Sequence, residues 1–105
     1  MWHDLAVSLL TIPTPGALEL FCKARGISRL CLFGSAGRAD FNRQSSDVDL
    51  LVEYQEGRHP GLNHFAIAEE LSAMFGRKVD LNTPAMLGRL LPAISREAET
   101  LYVEA

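Results

Sequence analysis

No stretch of the 105-residue sequence approaches the roughly 20 consecutive apolar residues that a membrane-spanning helix needs. The apolar run Ala6-Val7-Ser8-Leu9-Leu10-Thr11-Ile12 has neither a basic leader nor a small-residue cleavage site, so no signal peptide and no membrane partner are expected. Excess positive charge is also missing. Ten lysines and arginines stand against 13 acidic residues, a net charge of −3, which argues against a long nucleic acid held by phosphate neutralisation. Cysteine is scarce: Cys22 and Cys31 sit in apolar surroundings without CxxC spacing. They are expected to be reduced core residues of a cytoplasmic protein rather than a disulfide or zinc site. His3, His59 and His64 show no metal-ligand spacing and are expected at the surface. There is no GxxxxGK[ST] and no GxGxxG, which excludes a Walker-type P-loop and a dinucleotide fingerprint. Repeats, low-complexity tracts and linkers are absent as well.

What remains is an ordinary globular balance, 48% hydrophobic and 22% charged, expected to form one domain over residues 1–105. Trp2, Leu5, Ala6 and Leu9 have helical spacing over 2–10. Thr14-Pro15 is a helix cap followed by a proline at the first helical position, with Leu18, Phe21 and Cys22 on one face and Gly26 as terminator. Ile27 to Phe33 predicts a central strand, and 47–54 a second. Loop signals at Gly57, Pro60 and Gly61 leave Arg58 and His59 exposed. A helix is predicted over 62–75 with Ile67, Leu71, Met74 and Phe75 buried, then a strand over 77–82. Thr83-Pro84 opens another helix, broken at Pro92, whose second piece buries Ile94, Ala98 and Leu101. A short last strand is predicted at 101–103. About a dozen residues separate the first two strands, which favours antiparallel pairing in a mixed sheet with helices on one face.

The chemistry concentrates in two places. Leu32-Phe33-Gly34-Ser35 ends an apolar strand in a turn where a phosphate could approach the backbone, and the segment 35–46 that follows is small and polar. Then Ser46-Asp47-Val48-Asp49-Leu50 places two carboxylates on one face of a strand, with Val48 on the other. Aspartate is depleted in strands and like charges repel, so the pair is costly unless a cation binds it. The bland alternative is a turn cap at Asp47 and an exposed strand edge at Asp49. Asp80 lies between Val79 and Leu81, out of phase with them. If its strand neighbours the second, it becomes a third metal ligand and the base that accepts a proton from an incoming hydroxyl; otherwise it is a surface residue. Two Mg²⁺ ions ~4 Å apart on such carboxylates would clamp the oxygens of a nucleotidyl transfer. Arg38 is placed either near a phosphate at the turn or in solvent, and Lys78 shares the face of Asp80. Ser45 and Ser46 are better turn caps than nucleophiles.

Together, Gly34-Ser35, Arg38, Ser46-Asp47-Val48-Asp49-Leu50 and Val79-Asp80-Leu81 resemble the polymerase-β-type nucleotidyltransferase superfamily, and more closely its minimal MNT-type members. The resemblance covers about 75 residues. It implies a small α/β (α+β) fold, a mixed sheet with helices mainly on one face. Gly34, Ser35, Arg38 and Ser46 would bind the nucleotide. Asp47 and Asp49 would hold both Mg²⁺ ions, with Asp80 completing the nucleophile-side metal. The chain departs from the usual Gly-Ser-x-Ala-Arg-Gly by carrying Gly37 before Arg38 and Ala39 after it. The same resemblance implies an antitoxin that transfers AMP from ATP to a tyrosine hydroxyl of a HEPN ribonuclease partner and releases pyrophosphate. Trp2 and the helix around Pro92 are candidate docking surfaces. Two other readings stay open: a binding module that neutralises its partner by complex formation, and nucleotidyl transfer to a small molecule.

Overall fold

The computed structural model describes residues 12–33 and 48–105. The elements expected over 2–10 and 35–46 lie outside those residues.

Helix α1 spans Pro15–Arg25 and begins as its sequence predicts. The Thr14 hydroxyl accepts from the Ala17 N–H at 3.2 Å, and Pro15 occupies the first turn, where no N–H is needed. It stops at Gly26, which adopts φ +71° and donates its N–H to the Cys22 carbonyl. Lys23 and Arg25 place positive charge in the last turn, where the helix dipole favours it. Strand β1 (Ile27–Phe33) follows directly and pairs antiparallel with β2 (Val48–Tyr54). Helix α2 covers Asn63–Phe75 and ends at Gly76, again left-handed, at φ +68°. Strand β3 (Val79–Asn82) lies parallel to β2. The chain continues through α3 (Pro84–Leu87, capped by Thr83), a 3₁₀ turn at Gly88–Leu90 and α4 (Leu91–Glu97). It ends in β4 (Glu99–Val103), antiparallel to β1, so the strands are ordered β3-β2-β1-β4.

This is the expected mixed sheet, and the reason is side-chain periodicity. On one sheet face Leu30, Leu50, Val52 and Leu81 meet Leu18 and Phe21 of α1 and Leu71 and Phe75 of α2 in one continuous core. Leu30, Leu50, Leu71 and Phe75 are fully sequestered from solvent. Cys22 and Cys31 are buried and form no disulfide, as their apolar surroundings predict. No helix among the described residues is long and apolar enough to cross a membrane.

Two expectations need correcting. The piece after Pro92 buries nothing, because α4 ends at Glu97 and leaves Ile94 and Ala98 only half-buried. Leu101 belongs instead to β4, which begins two residues earlier than expected and lays Leu101 and Tyr102 against the core. Strand pairing with β1 overrides the helical spacing there. His64 is the second case. It is buried rather than exposed, on the same stripe of α2 as Ile67, Leu71 and Phe75.

Candidate active site

The sheet register decides which of the suspected residues meet. Phe33, the last residue of β1, pairs with Asp49 of β2, and Asp49 stands directly beside Asp80 of β3. Val48, Leu50, Val79 and Leu81 are all buried in the core. Alternation therefore sends Asp49 and Asp80 out through the opposite face, on strands ~4.8 Å apart. Asp49 is half-buried and Asp80 exposed. Gly34, Ser35, Arg38, Ser46 and Asp47 lie outside the described residues. In the sequence, Gly34 and Ser35 follow directly on Phe33, which pairs with Asp49, and Asp47 immediately precedes β2.

Local bonds hold this corner. The Val48 N–H donates to the Lys78 carbonyl at 2.9 Å, which starts the parallel pairing one step before the two aspartates. Ser72, in the last turn of α2, donates its hydroxyl to the Ala68 carbonyl at 2.8 Å and accepts the Val79 N–H at 2.9 Å. That hydroxyl ties the end of α2 to the start of β3 and so fixes the height of Asp80. Asn82 donates its amide to the Asp80 carbonyl oxygen at 3.2 Å. The Asp80 carboxylate itself makes no hydrogen bond or ion pair with any described residue.

Like charges directly opposite each other across a strand pair destabilise a sheet. Two adjacent carboxylates offering hard oxygen donors are the ligand chemistry that Mg²⁺ takes. Asp49 and Asp80 thus offer two carboxylates on one face, a donor chemistry compatible with a divalent cation, while no group of three or more acidic, histidine or cysteine side chains that could hold a metal occurs among the described residues.

The other end of β2 carries a feature that sequence spacing hinted at and side-chain chemistry obscured. The Tyr54 hydroxyl lies 3.0 Å from His64 Nδ1, and His64 Nε2 lies 3.0 Å from the Leu81 carbonyl. A carbonyl only accepts, so the ring proton belongs on Nε2, and Nδ1 accepts from the Tyr54 O–H. His64 lies three residues before Ile67 and seven before Leu71, a helical period that could have placed it inside. This pair braces β2, α2 and β3 behind the carboxylate corner.

Burial pushes the Tyr54 phenol from 10.0 up to about 12. Burial likewise pushes the Cys22 thiol from 9.0 up to about 11, with Arg25 opposing. In each case the fold retains a proton that the unfolded chain has released. The stability this adds is complete below pH 9 and is lost as pH rises from about 9 to about 12. Urea unfolding at pH 8 and pH 11 is expected to show the lower midpoint at pH 11, with Cys22→Ala removing part of the fall.

A family model described as a nucleotidyltransferase domain matches residues 16–103, from α1 through β4. The chain belongs to the nucleotidyltransferase domain family. Among solved structures, a candidate minimal nucleotidyltransferase is 34% identical, with a TM-score of 0.66 over 81% of this chain and 86% of that one. A candidate protein adenylyltransferase of Methanocaldococcus jannaschii is 36% identical over 58 residues. That match spans 55% of this chain and 60% of the relative's length. A chain in the solved structure of a tri-AMPylated Shewanella oneidensis HEPN toxin in complex with MNT antitoxin shares the fold at 15% identity. Its TM-score is 0.59, over 86% of this chain and 70% of that one. The chain is thus an MNT-type nucleotidyltransferase domain in fold and family.

Proposed function

We propose that this nucleotidyltransferase transfers AMP from ATP to a hydroxyl on a partner protein, a tyrosine of a HEPN toxin, and so acts as its antitoxin. The in-register pairing of Asp49 and Asp80 beside the end of β1 carries this reading. Residues 1–105 would act as one nucleotidyltransferase domain, with the acceptor supplied by the partner. In the reaction the acceptor oxygen forms a bond to the α-phosphorus, the α–β phosphoanhydride bond breaks, and pyrophosphate leaves with the bonding electrons. Asp80 takes the hydroxyl proton. Gly34, Ser35, Arg38 and Ser46 would hold the phosphates and orient the α-phosphorus. Asp47, Asp49 and Asp80 would hold Mg²⁺, two ions in all, which when bound supply charge neutralisation at the phosphates.

The kinship with a candidate protein adenylyltransferase supports a protein acceptor, and the shared fold with an antitoxin bound to an AMPylated HEPN toxin supports the partner. The test combines the chain, Mg²⁺, a HEPN protein encoded beside it, and ATP labelled at either the α- or the γ-phosphate. Label is expected on the partner from α-labelled ATP only, and on a tyrosine. Absence of α-label, together with unimpaired neutralisation of the toxin, would replace the enzyme reading with that of a binding module.

A further inference from the structure

A cleft of about 540 Å³ opens at the end of the sheet far from the carboxylates. Tyr54 is on its wall, five residues along β2 from Asp49, or about 17 Å at the rise of a strand. We propose that this cleft is a second binding site, separate from the catalytic corner, for a small organic phosphate. Its size falls within the range of ligand pockets, ~300–1,000 Å³.

The charges on its walls decide the ligand class. Arg25 and Glu70 both line the cleft, but they satisfy each other: Nε to Oε1 at 2.9 Å and Nη2 to Oε2 at 2.7 Å. Arg25 also donates to the Phe21 carbonyl and stacks over the Phe21 ring. Arg58 is different. Its side chain makes no ion pair or hydrogen bond with any described residue, and neither does that of neighbouring His59. The lining is therefore net positive on a chain whose net charge is −3.

The backbone of Arg58 is held by a turn. Its N–H donates to the Gln55 carbonyl at 2.9 Å, closing a turn in which Gly57 takes φ +83°. Its guanidinium sits over Gly26, where an added Cβ would collide with Cζ and come within 2.7 Å of Nε. A guanidinium is a planar fork whose donors match the geometry of phosphate oxygens. The first N–H groups of α2 do not compete for the anion, because those of Asn63, His64 and Phe65 already bond the carbonyls of Pro60, Gly61 and Leu62. Recognition falls to side chains: Arg58, His59 and the Asn63 amide for the phosphate, with Ile67 and Tyr54 offering apolar surface to the organic part.

The test uses phenyl phosphate as the probe, without Mg²⁺, followed by amide chemical shifts of the intact chain. Shifts are expected at Ala24, Tyr54 and Asn63, with affinity falling about tenfold in Arg58→Gln and retained in part in Arg58→Lys. Phenol at the same concentrations should shift nothing there. Asn63→Asp separates binding from folding, since a carboxylate at a helix start favours the helix yet repels the anion; it should weaken binding and leave the melting temperature equal or higher. Asp49→Asn/Asp80→Asn should bind as wild type does. Equal affinity in Arg58→Gln, or shifts confined to the Asp49 and Asp80 end, would overturn the site while leaving the transferase reading standing.

Discussion

Asp80→Asn is expected to reduce AMP transfer by roughly 10²–10⁴-fold, the range for loss of a general base, while leaving the chain folded. The sheet register explains why these two outcomes separate. Asp80 is exposed, and its carboxylate makes no hydrogen bond or ion pair with any described residue, so its removal breaks no packing or bonded contact described there. It faces Asp49 directly across the β2–β3 pair. Replacing one of two facing carboxylates with an amide relieves repulsion worth ~0.2–1 kcal/mol. In metal-free buffer the variant should therefore melt at the same temperature as wild type or slightly higher. Added Mg²⁺ should raise the melting point of wild type more than that of the variant, because ligand binding to the folded state stabilises by mass action. Calorimetry with and without Mg²⁺, run beside the labelling assay, checks all three. A variant that labels its partner as well as wild type would remove Asp80 from the chemistry.

Phe75→Ala is expected to be among the costliest substitutions in the fold, at about 3–5 kcal/mol. Phe75 has no exposed surface and fills the junction where α2 ends above the sheet. The Gly76 left-handed turn fixes the chain just beyond it, and Ser72 bonds Val79 at the start of β3, so the surrounding backbone is not free to collapse into the void. For a chain of this length, total stability is of the order of 5–15 kcal/mol. One truncation would thus consume a large share of it, lowering the urea midpoint by about 2 M. Leu20→Ala is the control. Leu20 is 74% exposed on α1, and its loss should change stability by less than about 0.5 kcal/mol. A fall below about 1 kcal/mol for Phe75→Ala would mean that the junction repacks.

The legible parts of this protein share one property: they depend on neighbours close in sequence. Thr14-Pro15 and Thr83-Pro84 announce helix starts because capping needs only the next three residues. Gly26 and Gly76 announce helix ends because only the local backbone must turn left-handed. Val48, Val79 and Leu81 reveal which way the aspartates point because a strand alternates strictly. The errors fall where a distant partner intervenes. Leu101 and Ala98 continue a plausible helical stripe, yet β1 offers Arg29 to Leu32 as a pairing edge, and the chain extends to meet it. His64 reads as polar and external until Tyr54 and the Leu81 carbonyl, ten and seventeen residues away, supply the hydrogen bonds that make its burial affordable.

Signals written along the chain set most of the elements over the described residues, the apolar faces of α1 and α2, the antiparallel return from β1 to β2 and the suspicion that acidic residues cluster beside a Gly-Ser turn. These follow from periodicity, capping and connection length, all of which are written along the chain. Only the tertiary structure decided that β3 lies parallel to β2 in the register that sets Asp80 beside Asp49, and that Arg58 lies over Gly26 at the far end. A shift of one residue in that pairing would leave every local signal unchanged while moving Asp80 away from its partner. Side-chain alternation is a property of one strand, whereas adjacency is a property of two.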